Sequence, residues 1–262
     1  MTFAFQQASS LAEAAKAAQG GDAKLIAGGQ SLLGAIKLGL AAPAALVDIS
    51  GLADLQGIKV EPGKVVIGAM STHAAVGASK QVQAAIPALA DLAGRIGDRQ
   101  VRNRGTLGGS LANNDPAACY PAAVLGLGAT VQTDRRSIAA DDFFKGLYET
   151  ALQPGEIITS VSFPVPEKAA WQKFKQPASR FSIVGVFVAK TAGGVRVAVT
   201  GAGPCVFRCA EIEQALSISW GAAAAQAVQV SDAGLNSDLH GSARYRAALI
   251  PVLAGRAVAA AG

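Results

Sequence analysis

Two glycine-rich segments, about eighty residues apart, constrain this 262-residue chain more than any other feature. The first glycine segment runs from Ala27 to Leu32 (AGGQSL), and the second glycine segment runs from Thr106 to Pro116 (TLGGSLANNDP). Because glycine has no Cβ, paired glycines let successive backbone N–H groups turn sharply and approach an anion. Two such turns in one chain predict a ligand with two linked phosphates.

Neither segment matches a standard nucleotide fingerprint, because there is no G-x-G-x-x-G and no G-x-x-x-x-G-K-[ST] around them. Taken alone, the first segment is equally compatible with a plain strand-to-helix turn. The second is equally compatible with a loop closed by an Asx turn at 114–116. The glycine pairs by themselves therefore leave the ligand open.

Composition indicates a folded chain with a substantial core, since 51% of residues are hydrophobic and only 16% are charged. The net charge is +5, and its densest stretch, Arg95–Arg104, lies next to the second glycine segment. This stretch is either a solvated loop or a positive rim beside an anionic ligand. No aromatic residues alternate with the charges there, so we expect no nucleic-acid partner.

Few side chains in this sequence could perform chemistry. Its three cysteines form no C-x-x-C pair, which argues against a disulfide scaffold, a zinc site or an iron–sulfur cluster in this chain. With two histidines and no nucleophile or zinc-hydrolase motif, we predict neither catalytic residues nor metal ligands. A strong ligand pattern without catalytic side chains is typical of a protein whose cofactor carries the chemistry.

The order of patterns predicts an α+β fold with two domains, divided at about Pro164–Lys168. Short strands alternate with helices before that point, and a smaller strand-then-helix unit follows it. No signal peptide and no apolar run of transmembrane length is apparent, so we expect a cytoplasmic protein without a transmembrane segment.

Both glycine segments resemble those of the FAD-binding (medium) subunit of molybdenum hydroxylases, the family of aerobic carbon monoxide dehydrogenase and xanthine dehydrogenase. The resemblance extends to Gln100–Gly105, Gly155–Ile158 and Phe174–Phe181, in the same order along the chain. It implies a PCMH-type FAD-binding domain over 1–165, with lobes at about 1–55 and 56–165. Residues 166–262 would form a carbon monoxide dehydrogenase flavoprotein-like C-terminal domain, a short antiparallel sheet with helices.

The resemblance also implies which residues contact FAD. These residues are Lys24, Leu25, Ile26, Ala27, Gly28, Gly29, Gln30, Ser31, Leu32, Val101, Thr106, Gly108, Gly109, Ser110, Asn113, Asp115, Ile158, Lys175 and Phe181. Two positions depart from the family pattern. Cys119 replaces an aspartate of many relatives, which makes Asp115 the better acidic candidate, and Phe181 replaces a tyrosine near the isoalloxazine.

The implied function is electron transfer within a larger complex. A large subunit with a molybdenum–pterin cofactor would oxidise the substrate, and two [2Fe–2S] clusters of a small subunit would pass electrons to the FAD of this chain. The external acceptor would be NAD, a quinone, oxygen or another carrier, and the assembly a dimer of heterotrimers. The alternatives are a stand-alone flavin-dependent oxidase or dehydrogenase of the same superfamily and a nucleotide-binding scaffold without flavin.

Overall fold

A computed structural model describes residues 3–262 and has the α+β architecture that the sequence predicts. The first lobe is a three-stranded parallel sheet with two helices. Its elements are β1 (Ala4–Gln7), α1 (Leu11–Ala18), β2 (Ala23–Ile26), α2 (Leu32–Lys37) and β3 (Ala45–Asp48). The strand order is β1-β3-β2, so β2, which leads into the first glycine segment, is an edge strand.

The second lobe is built on a five-stranded antiparallel sheet and seven helices. After a short 3-10 helix (Ala53–Leu55), its elements are β4 (Ile58–Glu61), β5 (Lys64–Gly68), α3 (His73–Ala78), α4 (Lys80–Ala85), α5 (Pro87–Gly94), α6 (Arg99–Arg104), α7 (Leu107–Asn113), α8 (Tyr120–Leu127), β6 (Thr130–Thr133), β7 (Ser137–Ala139), α9 (Ala140–Phe143), β8 (Phe144–Gly146), β9 (Glu149–Thr150) and β10 (Ile158–Pro164). The five strands lie in the order β4-β5-β10-β6-β7, and β8 pairs with β9.

The C-terminal part is a four-stranded antiparallel sheet followed by three helices. Its elements are β11 (Lys168–Lys175), β12 (Ser182–Thr191), β13 (Gly194–Thr200), β14 (Phe207–Arg208), α10 (Ala210–Ile218), α11 (Ala222–Gln226) and α12 (Ala243–Ala261). The strands lie in the order β11-β12-β13-β14. None of the helices in residues 3–262 has the length and apolar character needed to cross a membrane.

Three hydrophobic clusters hold these parts together. The largest lies in the second lobe, and Trp171 and Phe187 from the C-terminal sheet are buried in it, with ring centroids 6.5 Å apart. The opposite face of that sheet packs Val184 and Val186 against Ile250 of α12. The central strand β12 is therefore covered on both faces, which attaches the C-terminal sheet firmly to the second lobe.

The structure differs from the sequence-based expectation around the second glycine segment. The arginine-rich stretch is not a solvated loop, because Arg99–Arg104 forms α6, where Asp98 caps the helix by accepting the N–H of Val101 at 2.8 Å. The glycine pair of the second segment lies inside the first turn of α7. The helix propensity of these residues did not predict a helix there, because glycine is unfavourable inside helices. Tertiary packing compensates for this unfavourable propensity.

Candidate functional site

The first glycine segment exposes a run of unused backbone donors. Gly29 has a φ of +73°, which turns the chain from β2 into α2. Within residues 3–262, the six consecutive N–H groups from Ala27 to Leu32 have no hydrogen-bond acceptor. The residues that carry them are half-buried or exposed. Such a concave row of free amides can accept an anion.

Gly28 brings the two lobes into direct backbone contact. A Cβ at this position would lie 1.9 Å from the carbonyl oxygen of Arg104 and 2.9 Å from Cα of Gly105. The first glycine segment therefore lies against the connection between α6 and α7. Only glycine allows this approach of the two backbones.

The second glycine segment begins with a capped helix. Thr106 is the N-cap of α7, and its Oγ1 accepts the N–H of Gly109 at 3.1 Å. The N–H of Ser110 donates to the carbonyl oxygen of Thr106 at 3.0 Å. The hydroxyl and these two amides are therefore engaged within the protein.

The preceding two amides are engaged as well. The N–H of Leu107 donates to the Ser71 carbonyl at 3.0 Å, and that of Gly108 donates to the Ala69 carbonyl at 2.8 Å. A Cβ on Gly108 would lie 2.6 Å from the Cβ of Ala69. The prediction of a second row of free amides is therefore wrong, because the connection between β5 and α3 occupies these donors.

The two segments nevertheless face each other. A Cβ on Gly109 would lie 3.7 Å from the Cβ of Ala27 in the first segment. What the second segment can offer a ligand is side chains, since Ser110 and Asn113 are half-buried and stand three residues apart on one face of α7. The junction of the two segments thus combines free amides of the first with polar side chains of the second.

The end of the second segment is fixed by its own hydrogen bonds. Asn114 is buried with a φ of +42°, and its Nδ2 donates to the carbonyl oxygens of Gly146 and Glu149 at 2.9 and 2.8 Å. Oδ1 of Asp115 accepts the N–H of Ala117 at 2.8 Å, which is an Asx turn. The Asx turn expected at 114–116 is therefore shifted by one residue, because it joins Asp115 to Ala117, and one oxygen of Asp115 is committed to it.

His73 supports the second segment from beneath. The backbone N–H of His73 donates to the carbonyl oxygen of Gly105 at 2.9 Å. The imidazole ring is buried, and its Nδ1 has no hydrogen-bond partner among the described residues. Burial, and secondarily the positive charge of Arg102, lowers the pKa of His73 to about 4. The ring is therefore neutral at pH 7, and it packs against Tyr120 with ring centroids 5.3 Å apart.

Ile158 is held in place by an ionic anchor two residues before it. Arg136 donates two hydrogen bonds at 2.9 Å to the enclosed Glu156 carboxylate, and Thr133 donates at 2.8 Å. The hydrogen bond from Arg136 lowers the pKa of Glu156 to about 2. Glu156 belonged to the Gly155–Ile158 motif, but its anchoring role could not be deduced from sequence spacing.

The other predicted residues lie on several elements and differ in exposure. Lys24 is exposed on β2, whereas Leu25, Ile26 and Val101 are half-buried. Lys175 is exposed at the end of β11. The structure brings Asp115 and Phe181 together, because both line one cavity of about 280 Å³.

Sequence reasoning missed Lys173, two residues before the predicted Lys175. Its Nζ donates to the carbonyl oxygens of Arg95 and Arg180 at 2.9 and 3.0 Å, and lies 3.4 Å from Sγ of Cys119. Residues two apart on a strand share a face, so spacing alone could not tell the two lysines apart. Among the residues that the structure describes, no cluster of His, Cys, Asp and Glu could hold a metal ion.

Comparison with solved structures finds the same fold in molybdenum enzymes. Carbon monoxide dehydrogenase from Hydrogenophaga pseudoflava, in a form that lacks the Mo-pyranopterin moiety, matches with a TM-score of 0.90 and 35% identity over 100% of this chain and 97% of that chain. Quinoline 2-oxidoreductase from Pseudomonas putida 86 matches with a TM-score of 0.89 and 30% identity, again covering 100% and 97%.

Comparison of sequences agrees. The nicotine 6-hydroxylase medium subunit of Paenarthrobacter nicotinovorans and the carbon monoxide dehydrogenase medium chain of H. pseudoflava are each 36% identical to this chain. Both alignments cover 92% of this chain and 90% of the relative. The family described as the FAD binding domain in molybdopterin dehydrogenase matches residues 1–166. This chain therefore belongs to the family of FAD-binding subunits of molybdenum-containing dehydrogenases.

Proposed function

We propose that this chain is the electron-transfer subunit of a molybdenum hydroxylase. It takes electrons from the [2Fe–2S] clusters of a small subunit and passes them to an external acceptor. A large molybdenum subunit oxidises the substrate. The observation that carries this proposal is the row of six free amides in the first glycine segment, placed opposite polar side chains of the second.

The donors of the first glycine segment suit the phosphates of FAD. Six unpaired N–H groups supply donors for a dianionic pyrophosphate without any charged side chain, and the side chains of Ser110 and Asn113 approach from α7. Hydrogen bonds to a charged group are stronger than those between neutral partners. The first segment therefore binds the phosphates, and the second segment orients them.

The remaining predicted residues surround the rest of the cofactor. We assign Val101, Ile158 and Phe181 to apolar contacts that exclude water, and Lys175 to the placement of a positive charge. Asp115 can offer a ligand only its Oδ2, which accepts a long hydrogen bond of 3.4 Å from the exposed Tyr148 hydroxyl. Bound FAD supplies a centre that accepts electrons singly and releases them in pairs, while the protein holds it and tunes its potential.

We also propose the division of the chain and its assembly. Residues 1–165 form the FAD-binding domain and 166–262 the C-terminal domain, which closes the cavity that Asp115 and Phe181 share. The chain assembles with the large and small subunits as a dimer of heterotrimers.

The direct test is an absorption spectrum of the purified chain. Oxidised flavin bands at about 370 and 450 nm are expected, and the extracted cofactor should be FAD. Co-expression with the molybdenum and iron–sulfur subunits should yield a complex in which substrate bleaches these bands. A chain purified gently without flavin, and unable to take up added FAD, would overturn the proposal. Full activity of the isolated chain on an organic substrate would favour an oxidase instead.

A further inference from the structure

The ammonium group of Lys173 joins three separate parts of the chain. Its hydrogen bonds reach Arg95 at the end of α5, Arg180 in the loop 176–181 and Cys119 just before α8. A lysine ammonium has three donors, so Lys173 is fully paired by these three acceptors. Two acceptors lie in the second lobe and one lies in the loop that follows β11.

The loop 176–181 is held mainly by hydrogen bonds within itself, since Oε1 of Gln176 accepts the N–H of Ser179 at 2.7 Å and Oγ of Ser179 accepts the N–H of Phe181 at 3.3 Å. It is closed by the N–H of Gln176 donating to Phe181 and that of Arg180 donating to Gln176, at 2.9 and 2.8 Å. Arg180 has a φ of +63°, which costs free energy for a residue with a side chain. Phe181 is 49% exposed. Apart from Lys173, the loop is tied to the second lobe by Nη1 of Arg180, which donates to Gly97 at 3.3 Å.

We infer that Lys173 is a positioning residue for the cofactor site. By holding the carbonyl of Arg180 against the second lobe, it fixes the loop 176–181, and with it Lys175 and Phe181 at the two ends of that loop. This inference rests on the proposed function, because Lys175 and Phe181 are the residues proposed to contact FAD. Lys173 itself need not touch the cofactor to act in this way.

Cys119 is the weakest of the three acceptors. A thiol sulfur accepts hydrogen bonds poorly, whereas a carboxylate would accept a charge-assisted hydrogen bond from the same ammonium. The position is 5% exposed, and Ser182 Oγ lies 3.7 Å from the sulfur on the other side. Cys119→Asp should therefore strengthen the attachment of the loop, and loss of Lys173 should weaken it.

Limited proteolysis with trypsin measures the attachment without any cofactor. Cleavage after Arg180 should be about tenfold faster in Lys173→Met than in wild type, which corresponds to about 1.4 kcal/mol. Lys173→Arg should restore part of the protection, and Cys119→Asp should slow cleavage. Lys190→Met, which removes a surface ion pair between Lys190 of β12 and Glu167 just before β11, is the matched control and should cleave like wild type. Equal cleavage of wild type and Lys173→Met would overturn the inference.

A second measurement links the loop to the cofactor. In the FAD-loaded chain, Lys173→Met should keep the flavin, since both glycine segments are intact, but change its reduction potential, and Lys173→Arg should reverse that change. If Lys173→Met releases the loop but leaves the reduction potential of the flavin unchanged, Lys173 does not position residues at the flavin. That result would overturn the inference. A wild-type chain that binds no FAD would instead contradict the proposed function, while the trypsin result would stand by itself.

Discussion

The two glycine segments are similar in sequence but differ in the folded protein in whether their backbone N–H groups are hydrogen-bonded. The first keeps the amides from Ala27 to Leu32 free, whereas four amides of the second, from Leu107 to Ser110, are bound to the protein. The difference arises from what lies beneath each segment. The first follows an edge strand, while the second packs onto the connection between β5 and α3.

This contrast shows that a glycine pair can be required for two different structural reasons. In the first segment glycine permits a turn and a close approach of two backbones, leaving donors for a ligand. In the second segment it permits a helix to pack tightly against Ala69, and the ligand contacts are left to side chains. Variants that alter one segment at a time test this difference.

The largest expected effect comes from Gly28→Ala. The new Cβ must displace the carbonyl of Arg104, which would lie 1.9 Å away, so the first glycine segment and the connection between α6 and α7 must move apart. FAD affinity should fall at least about 100-fold, or about 3 kcal/mol, in a fluorescence titration. Gly34→Ala, where nothing lies within 4 Å of the added Cβ, is the control and should bind FAD normally. Normal FAD binding by Gly28→Ala would show that the close approach of Gly28 to Arg104 is not needed for the cofactor site.

Acid should destabilise the support of the second segment. Because the pKa of His73 is about 4 in the folded chain, below its ordinary value of 6.5, the unfolded chain binds the proton more readily. The stabilisation is therefore complete above pH 6.5 and is lost as the pH falls toward 4, by about 3 kcal/mol in total.

Urea unfolding across this pH range checks that expectation. His73→Gln should lose this component of the pH dependence, whereas His240→Gln, at an exposed histidine, should keep it. Identical pH profiles for wild type and His73→Gln would show that the buried ring does not govern acid stability.

A smaller effect distinguishes side-chain from backbone binding. Ser110→Ala removes a half-buried hydroxyl of the second segment and should weaken FAD binding about tenfold, because a hydrogen bond to a charged group contributes about 1.5 kcal/mol. Ser31→Ala is the matched variant in the first segment, where the exposed side chain is dispensable and the amide remains. Equal losses in the two variants would remove the distinction between the segments.

The smallest effect is expected for Thr106→Ala. Loss of the cap that accepts the N–H of Gly109 should lower the free energy of unfolding by about 1 kcal/mol, while FAD affinity changes little. Thr106→Ser keeps the cap and should behave like wild type in urea unfolding. A large loss of FAD affinity with unchanged stability would mean that the hydroxyl contacts the cofactor rather than the helix.

Local patterns in the sequence predicted much of this site. The strand before Ala27, the helix after Ser31 and the α+β class follow from periodicity and turn residues, and the ordered motifs identified the family. Whether each backbone N–H is free or hydrogen-bonded could not be predicted from the sequence. It depends on residues distant along the chain, since the carbonyl oxygens of Ala69 and Ser71 accept the amides of the second segment. Lys173 was missed for the same reason, since its acceptors come from three separate elements.

Residue-resolved amide hydrogen exchange, with and without FAD, tests the difference between the segments most directly. Without FAD, the amides from Ala27 to Leu32 should exchange rapidly and those from Leu107 to Ser110 slowly, since only the latter are hydrogen-bonded within the protein. Added FAD should protect the first group strongly and change the second little. Bound flavin that leaves the amides of the first segment unprotected would contradict the account.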